Sequence, residues 1–388
     1  MSAGIVCLVL GYVLSQFYRA FLAVLAPALA ADIGADAAAL ARASGWWFVT
    51  FAAMQLPVGW ALDRIGPRRT AAGLLAGAGG AGAVLFALAQ SPVQVELAMA
   101  LIGIGCSPML MAPSYIFART APAALFGTLA GVVIGVGTLG NLAAALPLAL
   151  LVEAAGWRGA MALMAGLTLA AAAGVAFTVR DPPPAVAAAG AGGLGTVLRD
   201  PLFWPVLAMM AACYAPSAAV RGLWAGPYLS DVHGAALATV GWVTLAMGAA
   251  MVAGSFAQGP AERVLRSRKR VVLWGNLAGV LCFALLWWNP APGFWVAAVL
   301  VVAVGLFGTS YPVVMAHGRA FFPPHLAGRG VTLLNLFGIG GAGLVQLATG
   351  PVHGGGPGAA GYGALFGFLA LILAAGCAAY ALARDRMD

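Results

Sequence analysis

The sequence predicts an all-α membrane protein of twelve transmembrane helices, arranged as two pseudo-symmetric six-helix bundles. Three observations predict it. The chain of 388 residues is 63 % hydrophobic and 8 % charged, where a soluble domain carries about 25 % charged residues. Twelve apolar runs follow one another, each near or above the ~20 residues that cross a hydrocarbon core. The two halves also echo one another at an offset of about 200 residues, the mark of an internal duplication.

In chain order the spans are read as 4–30, 43–62, 70–90, 93–116, 124–150, 157–179, 202–229, 236–258, 270–289, 292–318, 326–350 and 360–383. The first run continues past signal-peptide length and has no basic leader, so it reads as a span rather than a cleaved signal. The chain holds 54 Gly and 23 Pro, as expected of helices that bend or pack closely in a bilayer. Cys7, Cys106, Cys213, Cys282 and Cys377 all lie in apolar stretches, and no disulfide is expected. A Pro- and Gly-rich connector at 181–200 reads as a flexible linker. It separates an N-terminal bundle, 1–180, from a C-terminal bundle, 201–388.

The formal net charge of +8 does not point to nucleic acid, because the basic residues sit in short loops between spans. Arg64, Arg68 and Arg69 follow span two and Arg119 follows span four. Arg180 and Arg199 flank the linker. Arg263, Arg266, Arg268, Lys269 and Arg270 follow span eight, Arg329 follows span ten, and Arg384 and Arg386 end the chain. All share one side if the N-terminus is cytoplasmic. The opposite loops carry Asp32, Asp36, Glu153 and Asp231, with Arg42 and Arg158 as their basic members. This is the positive-inside pattern. It predicts a multi-pass protein with both termini cytoplasmic; the Ala/Gly-rich composition suggests a high-GC genome, the lack of a targeting element suggests a bacterial inner membrane, and a monomer is expected.

Arg19 lies near the middle of span one, where a guanidinium costs at least ~2.5–3.5 kcal/mol on insertion scales. It is expected to face protein interior or a wet cavity; a purely structural pairing and snorkelling are the alternatives. Gln16, Tyr18 and Tyr12 precede it and could orient a bound polar group or the guanidinium itself. Arg221 stands in span seven, nearer that span's end, so snorkelling is a stronger alternative there. Tyr214 lies seven residues before Arg221, as Tyr12 does before Arg19. Trp224 and Tyr228 are either an interfacial belt or cavity walls. Two arginines with few acidic counterparts suit an anionic cargo, since a guanidinium matches an oxyanion bidentately. Asn141, Asn335 and Gln346 are membrane-embedded amides and candidate polar contacts.

Gly59 to Arg69, G-W-A-L-D-R-I-G-P-R-R, resembles the loop signature of the major facilitator superfamily, roughly G-x-x-x-D-R-x-G-R-R, with Pro67 a less usual insertion. A degenerate copy, G-P-A-E-R-V-L-R-S-R-K-R, occupies 259–270. The resemblance covers the whole chain. It implies alternating access by two rocking bundles, with spans one, four, seven and ten around a central cavity, so that Arg19 and Arg221 would face each other there. It also implies that Asp63, Arg64 and Arg68, with Glu262 and Arg263, help to latch the cytoplasmic side; the alternative is that this loop only sets topology. Arg119 and Arg319, at matching ends of spans four and ten, are read as gate residues.

No Asp or Glu lies in the body of any span. That speaks against proton coupling through a core carboxylate and leaves an exchanger, a uniporter, or a symporter whose proton rides on the substrate or a histidine. His317 is read as the one histidine near a span, either titrating near neutrality or a satisfied loop-proximal residue. The glycine-rich fifth and eleventh spans are similar to those of nitrate/nitrite porters. Those porters place paired arginines in spans two and eight, where this chain has none. Met247 and Met251, with Met209 and Cys213, could suit Cu(I), but methionine as gap filler is the commoner use. The reading is thus a carrier for a small anion in the lipid bilayer, with a coupling proton or counter-transported anion, no cofactor, no bound metal and no chemistry on the cargo. Efflux of an amphipathic compound is the alternative. An enzyme would need a clustered nucleophile, acid or metal triad, and none is visible.

Overall fold

The computed structural model describes residues 3–120, 123–182, 199–322, 327–354 and 358–385. Most of the linker at 181–200, Arg386 and the side chain of Arg329 lie outside the described residues. Among the described residues all regular structure is helical. The chain divides into two compact units, Met1–Ala187 and Ala188–Asp388.

In the first unit, α1 (Ala3–Phe17) and α2 (Leu22–Ile33) form one span bent by 56°. Span two is α3 (Ala37–Ala53) and α4 (Gln55–Arg64), interrupted at Met54. Span three is α5 (Pro67–Leu74), a π-helical turn (Leu75–Gly80) and α6 (Ala81–Ala87). Span four is α7 (Pro92–Cys106) and α8 (Met111–Thr120). Then come α9 (Ala123–Ala143) and α10 (Leu146–Thr178), the latter broken at Gly156, so that it ends span five and forms span six. In the second unit, span seven is α11 (Trp204–Cys213), α12 (Ala215–Ala219), a second π-helical turn (Val220–Trp224) and α13 (Ala225–His233). The rest are α14 (Leu237–Leu265), α15 (Arg268–Trp288), α16 (Phe294–Phe307), α17 (Tyr311–Arg319), α18 (Ala327–His353) and α19 (Ala359–Tyr380).

Nine of the described helical stretches are long and apolar enough to cross a bilayer, and the bent α1–α2 pair makes a tenth. Spans two and five fall short as single stretches, span two because Met54 divides it. The outer surface is what a lipid solvent requires. Trp288, Trp295, Phe177 and Leu371 are exposed, a pattern that water would penalise and hydrocarbon does not.

The duplication is visible in the backbone. Helix α2 ends on Gly34 at φ 66° and α13 on Gly234 at φ 62°, 200 positions later. Both adopt the left-handed C-terminal turn, which only glycine enters without steric cost. Each unit also closes on an aspartate placed at a helix start. Asp181 accepts from the Arg68 N–H at 2.7 Å, and Asp385 accepts from the Lys269 N–H at 3.2 Å. A carboxylate there meets free N–H groups and the positive end of the helix dipole.

Candidate functional site

The arginines singled out by the sequence both stand where a span departs from the α-helix. Arg19 lies in the turn at 18–21 between α1 and α2, and Arg221 lies in the π-helical turn Val220–Trp224. Interrupted backbone is costly in lipid and persists where protein or a wet cavity covers it. Breaks of this kind in membrane spans are where ion and substrate groups are held.

In the first unit Tyr18 and Arg19 point different ways. Tyr18 is fully buried; its hydroxyl lies 2.9 Å from Thr168 Oγ1 and donates to the Met164 carbonyl at 3.3 Å. It packs edge-on against Phe17 and Phe21. The bend is thereby pinned to α10. Arg19 instead lays its guanidinium carbon 5.1 Å from the Trp47 ring centroid and 4.9 Å from that of Phe51. Both aromatics belong to α3, at i and i+4. Arg19 makes no ion pair among the described residues, and its buried Nε has no hydrogen-bond partner there. Helix α1 carries Gln16, whose amide donates to the Tyr12 hydroxyl at 3.1 Å. Tyr12 lies against Gly137 of α9. Asn141, one turn further along α9, has a buried Oδ1 without a partner among the described residues.

In the second unit Arg221 is 6 % exposed, and its Nη1 points at Met251 Sδ, 3.8 Å away. Position 251 is the counterpart of position 51 at the 200-residue offset. The arginine of span one therefore rests on Phe51 of span two, and the arginine of span seven rests on Met251 of span eight. Met247, counterpart of Trp47, is fully buried and abuts Gly305. The methionine pair read as a possible copper site thus contains the Arg221 contact. Tyr214 stands at the break between α11 and α12, its ring 5.8 Å from that of Tyr311. The Tyr311 hydroxyl bonds to Asn335 Oδ1, so these two sequence candidates are joined through a tyrosine that sequence reading passed over. Gln346 is 1 % exposed, and neither end of its amide has a partner among the described residues.

The charged loops pair within their own units. Arg119 Nη2 lies 3.3 Å from Asp63 Oδ1, and the Arg119 guanidinium sits 3.4 Å from the centre of the Tyr115 ring. Glu262 Oε2 lies 3.5 Å from Arg268 Nε. Arg64, Arg263 and Arg319 are exposed, and Arg68 is half-buried with its backbone N–H on Asp181. His317 is fully buried, with Nδ1 at the Tyr380 hydroxyl and Nε2 2.9 Å from the Arg384 carbonyl oxygen, a pin rather than an open site. It is not the only histidine near a span, as the sequence reading had it, because His233 ends α13 and His353 ends α18.

A duplicated bundle of interrupted apolar helices, with a guanidinium at a break in each half, defines a multi-pass membrane protein of the transporter type. The model of the Major Facilitator Superfamily matches residues 8–223, and the chain belongs to that superfamily. Among curated proteins it is 26 % identical over 183 residues to a probable sulfoacetate transporter, SauU, of Cupriavidus necator. The match covers 47 % of this chain and 42 % of that relative, so the chain spans less than half of the relative's length. Among solved structures it is similar in fold to a bacterial homologue of the human lysosomal transporter Spinster, in an inward-facing and occupied conformation. The TM-score is 0.75 at 17 % identity, over 97 % of this chain and 95 % of that one. It is also similar to the nucleoside transporter NupG, with a TM-score of 0.78 at 13 % identity over 97 % of this chain and 100 % of the other.

Proposed function

We propose that the protein is an alternating-access carrier for a small organic anion, with a sulfonate or carboxylate of a few carbons as the preferred class. Arg19 is the proposed anion contact of the first unit and Arg221 that of the second. Gln16, Tyr12 and Asn141 supply neutral polar contacts in the first unit, and Tyr214, Asn335 and Gln346 in the second. Asp63, Arg119 and Glu262 belong to the loops that close the cytoplasmic side, and a proton or counter-transported anion drives the cycle. The protein works as a monomer in a bacterial inner membrane with both termini in the cytoplasm.

The observation that carries this reading is the setting of Arg19. A guanidinium placed on two aromatic faces keeps its charge and its outward N–H groups available, because the rings attract a cation without neutralising it. An arginine serving only structure in a membrane protein would be paired with a carboxylate or backbone carbonyls. An efflux site for amphipathic compounds calls for that paired arrangement, so Arg19 favours the anion. The likeness to a probable sulfoacetate transporter is independent support for the class.

The test is uptake of labelled sulfoacetate, and of a panel of short carboxylates, into proteoliposomes holding the full chain. Arg19→Gln is expected to lower uptake at least tenfold, the ~1.5–3 kcal/mol of a hydrogen bond to a charged group. Arg19→Lys, a point charge without the planar fork, should fall in between. Undiminished uptake by Arg19→Gln, with insertion intact, would overturn the reading.

A further inference from the structure

We infer that His353 is a proton-binding site of the second unit, and that its protonation is coupled through Trp224 to anion binding at Arg221. The coupling rests on the anion-carrier reading; the proton site does not. His353 ends α18 and is 6 % exposed. Its ring lies 4.8 Å from that of Trp224, inclined by 35°, and 4.6 Å from that of Tyr362, inclined by 69°. Neither of its ring nitrogens has a hydrogen-bond partner among the described residues. Buried polar atoms nearly always have partners, and each that does not asks for a reason. Two idle nitrogens on one imidazole are poor design for a neutral ring. An imidazolium formed there has the Trp224 and Tyr362 rings beside it, which offset part of the cost of burying its charge.

The countercharge is in place. The Tyr362 hydroxyl donates to Asp231 Oδ2 at 2.6 Å, and Asp231 is exposed, giving the cluster its face to water. The titratable groups around His353 are Tyr228, Asp231 and His233 from α13 and Tyr362 from α19. The connection at 354–358 contains only Gly and Pro. The Tyr228 ring lies 5.3 Å from that of Tyr362 and 5.4 Å from that of His233. Tyr228 Oη and His233 Nε2 are also without partners among the described residues. Asp231 is the carboxylate of this cluster, and no Lys or Arg lies on α13 or α19.

Trp224 links this cluster to the arginine. Its indole N–H donates to Thr349 Oγ1 at 2.9 Å, one turn before His353 on α18. It is also the last residue of the π-helical turn that holds Arg221. A charge gained at His353 acts on a ring rigidly joined to the backbone of the arginine. By linkage, an anion at Arg221 must then change the proton affinity of His353 by the same factor in return. A proton entering with each anion also compensates its charge. The proton is thus assigned to a histidine rather than to a carboxylate.

The test uses the purified full chain in lipid nanodiscs and in proteoliposomes. A protonated imidazole quenches an adjacent indole, so tryptophan emission of the wild type should step down on acidification between about pH 8 and pH 5. His353→Gln should abolish that step. Asp231→Asn, at an exposed position, should shift it to lower pH, because the imidazolium loses its countercharge. A step of unchanged size and midpoint in His353→Gln overturns the proton site. In proteoliposomes, the ratio of acid-gradient-driven sulfoacetate accumulation to gradient-free sulfoacetate exchange should fall about tenfold in His353→Gln. An unchanged ratio overturns the coupling. If the wild type moves neither sulfoacetate nor any short carboxylate, the carrier reading and the coupling built on it both fail, while the emission step still decides whether His353 binds the proton.

Discussion

Tyr18 and Arg19 are chain neighbours whose side chains meet different surroundings. Tyr18 is buried with its hydroxyl on Thr168 and Met164 of α10. Arg19 reaches the other way, to the rings of Trp47 and Phe51. Removing the Tyr18 hydroxyl should therefore cost stability and leave the anion contact alone. Tyr18→Phe is expected to destabilise the fold by about 1 kcal/mol, the usual worth of a buried hydrogen bond, read as a lowered melting temperature in detergent. Sulfoacetate affinity should stay within about twofold of wild type, a change of under half a kcal/mol. A large loss of affinity with unchanged melting would place Tyr18 in the binding site instead. At this scale the sequence was informative about charge and silent about partners. An arginine deep in an apolar run announces itself, because its burial is expensive. Trp47 and Phe51 do not, since an aromatic pair at i and i+4 reads equally as packing or as lipid contact.

At the scale of the helix, the spans follow from hydropathy and the interruptions do not. Nothing in Tyr18-Arg-Ala-Phe21 breaks a helix by propensity, and Pro27 lies further on, inside α2. The bend is held by long-range contacts to α10, which no local pattern carries. The π-helical turns at Leu75–Gly80 and Val220–Trp224 were hidden for the same reason. Glycine spacing was legible, and the structure gives it content. Helix α9 crosses α1 so closely at Gly140 that a Cβ there would stand 1.9 Å from the Val13 carbonyl oxygen. Gly131, on the same helix, has nothing within 4 Å of such a Cβ. The two alanine substitutions should then differ in sign. Gly140→Ala should destabilise by about 1–3 kcal/mol through overpacking. Gly131→Ala should be neutral or stabilising by up to ~1 kcal/mol through helix propensity. Thermal melting followed by circular dichroism checks both, and equal effects would mean that α9 does not approach α1 at Gly140.

At the scale of the whole chain, the duplication that organises the fold also relates the two proposed anion contacts. The sequence showed it in the loop motifs at Gly59 to Arg69 and at 259–270. It did not show that the offset relates the residues beneath each arginine. Arg19 and Arg221 themselves fall two positions out of register, while Phe51 and Met251 stand 200 apart and each touches the arginine of its own unit. An aromatic ring and a thioether are alternative ways to support a guanidinium without neutralising its charge. Replacing either support by a carboxylate should silence the arginine above it. Phe51→Glu and Met251→Glu are each expected to lower sulfoacetate uptake at least tenfold, because a close opposite charge competes with the anion for the guanidinium. The loss should not add to that of the matching arginine substitution. Arg19→Gln combined with Phe51→Glu should be no worse than the poorer single variant, as should Arg221→Gln with Met251→Glu, since each pair removes one interaction twice. Multiplicative losses within a pair would show that Phe51 and Met251 act apart from their arginines. Normal uptake by one glutamate variant and loss by the other would confine the anion contact to a single half, making the repeat a matter of fold alone.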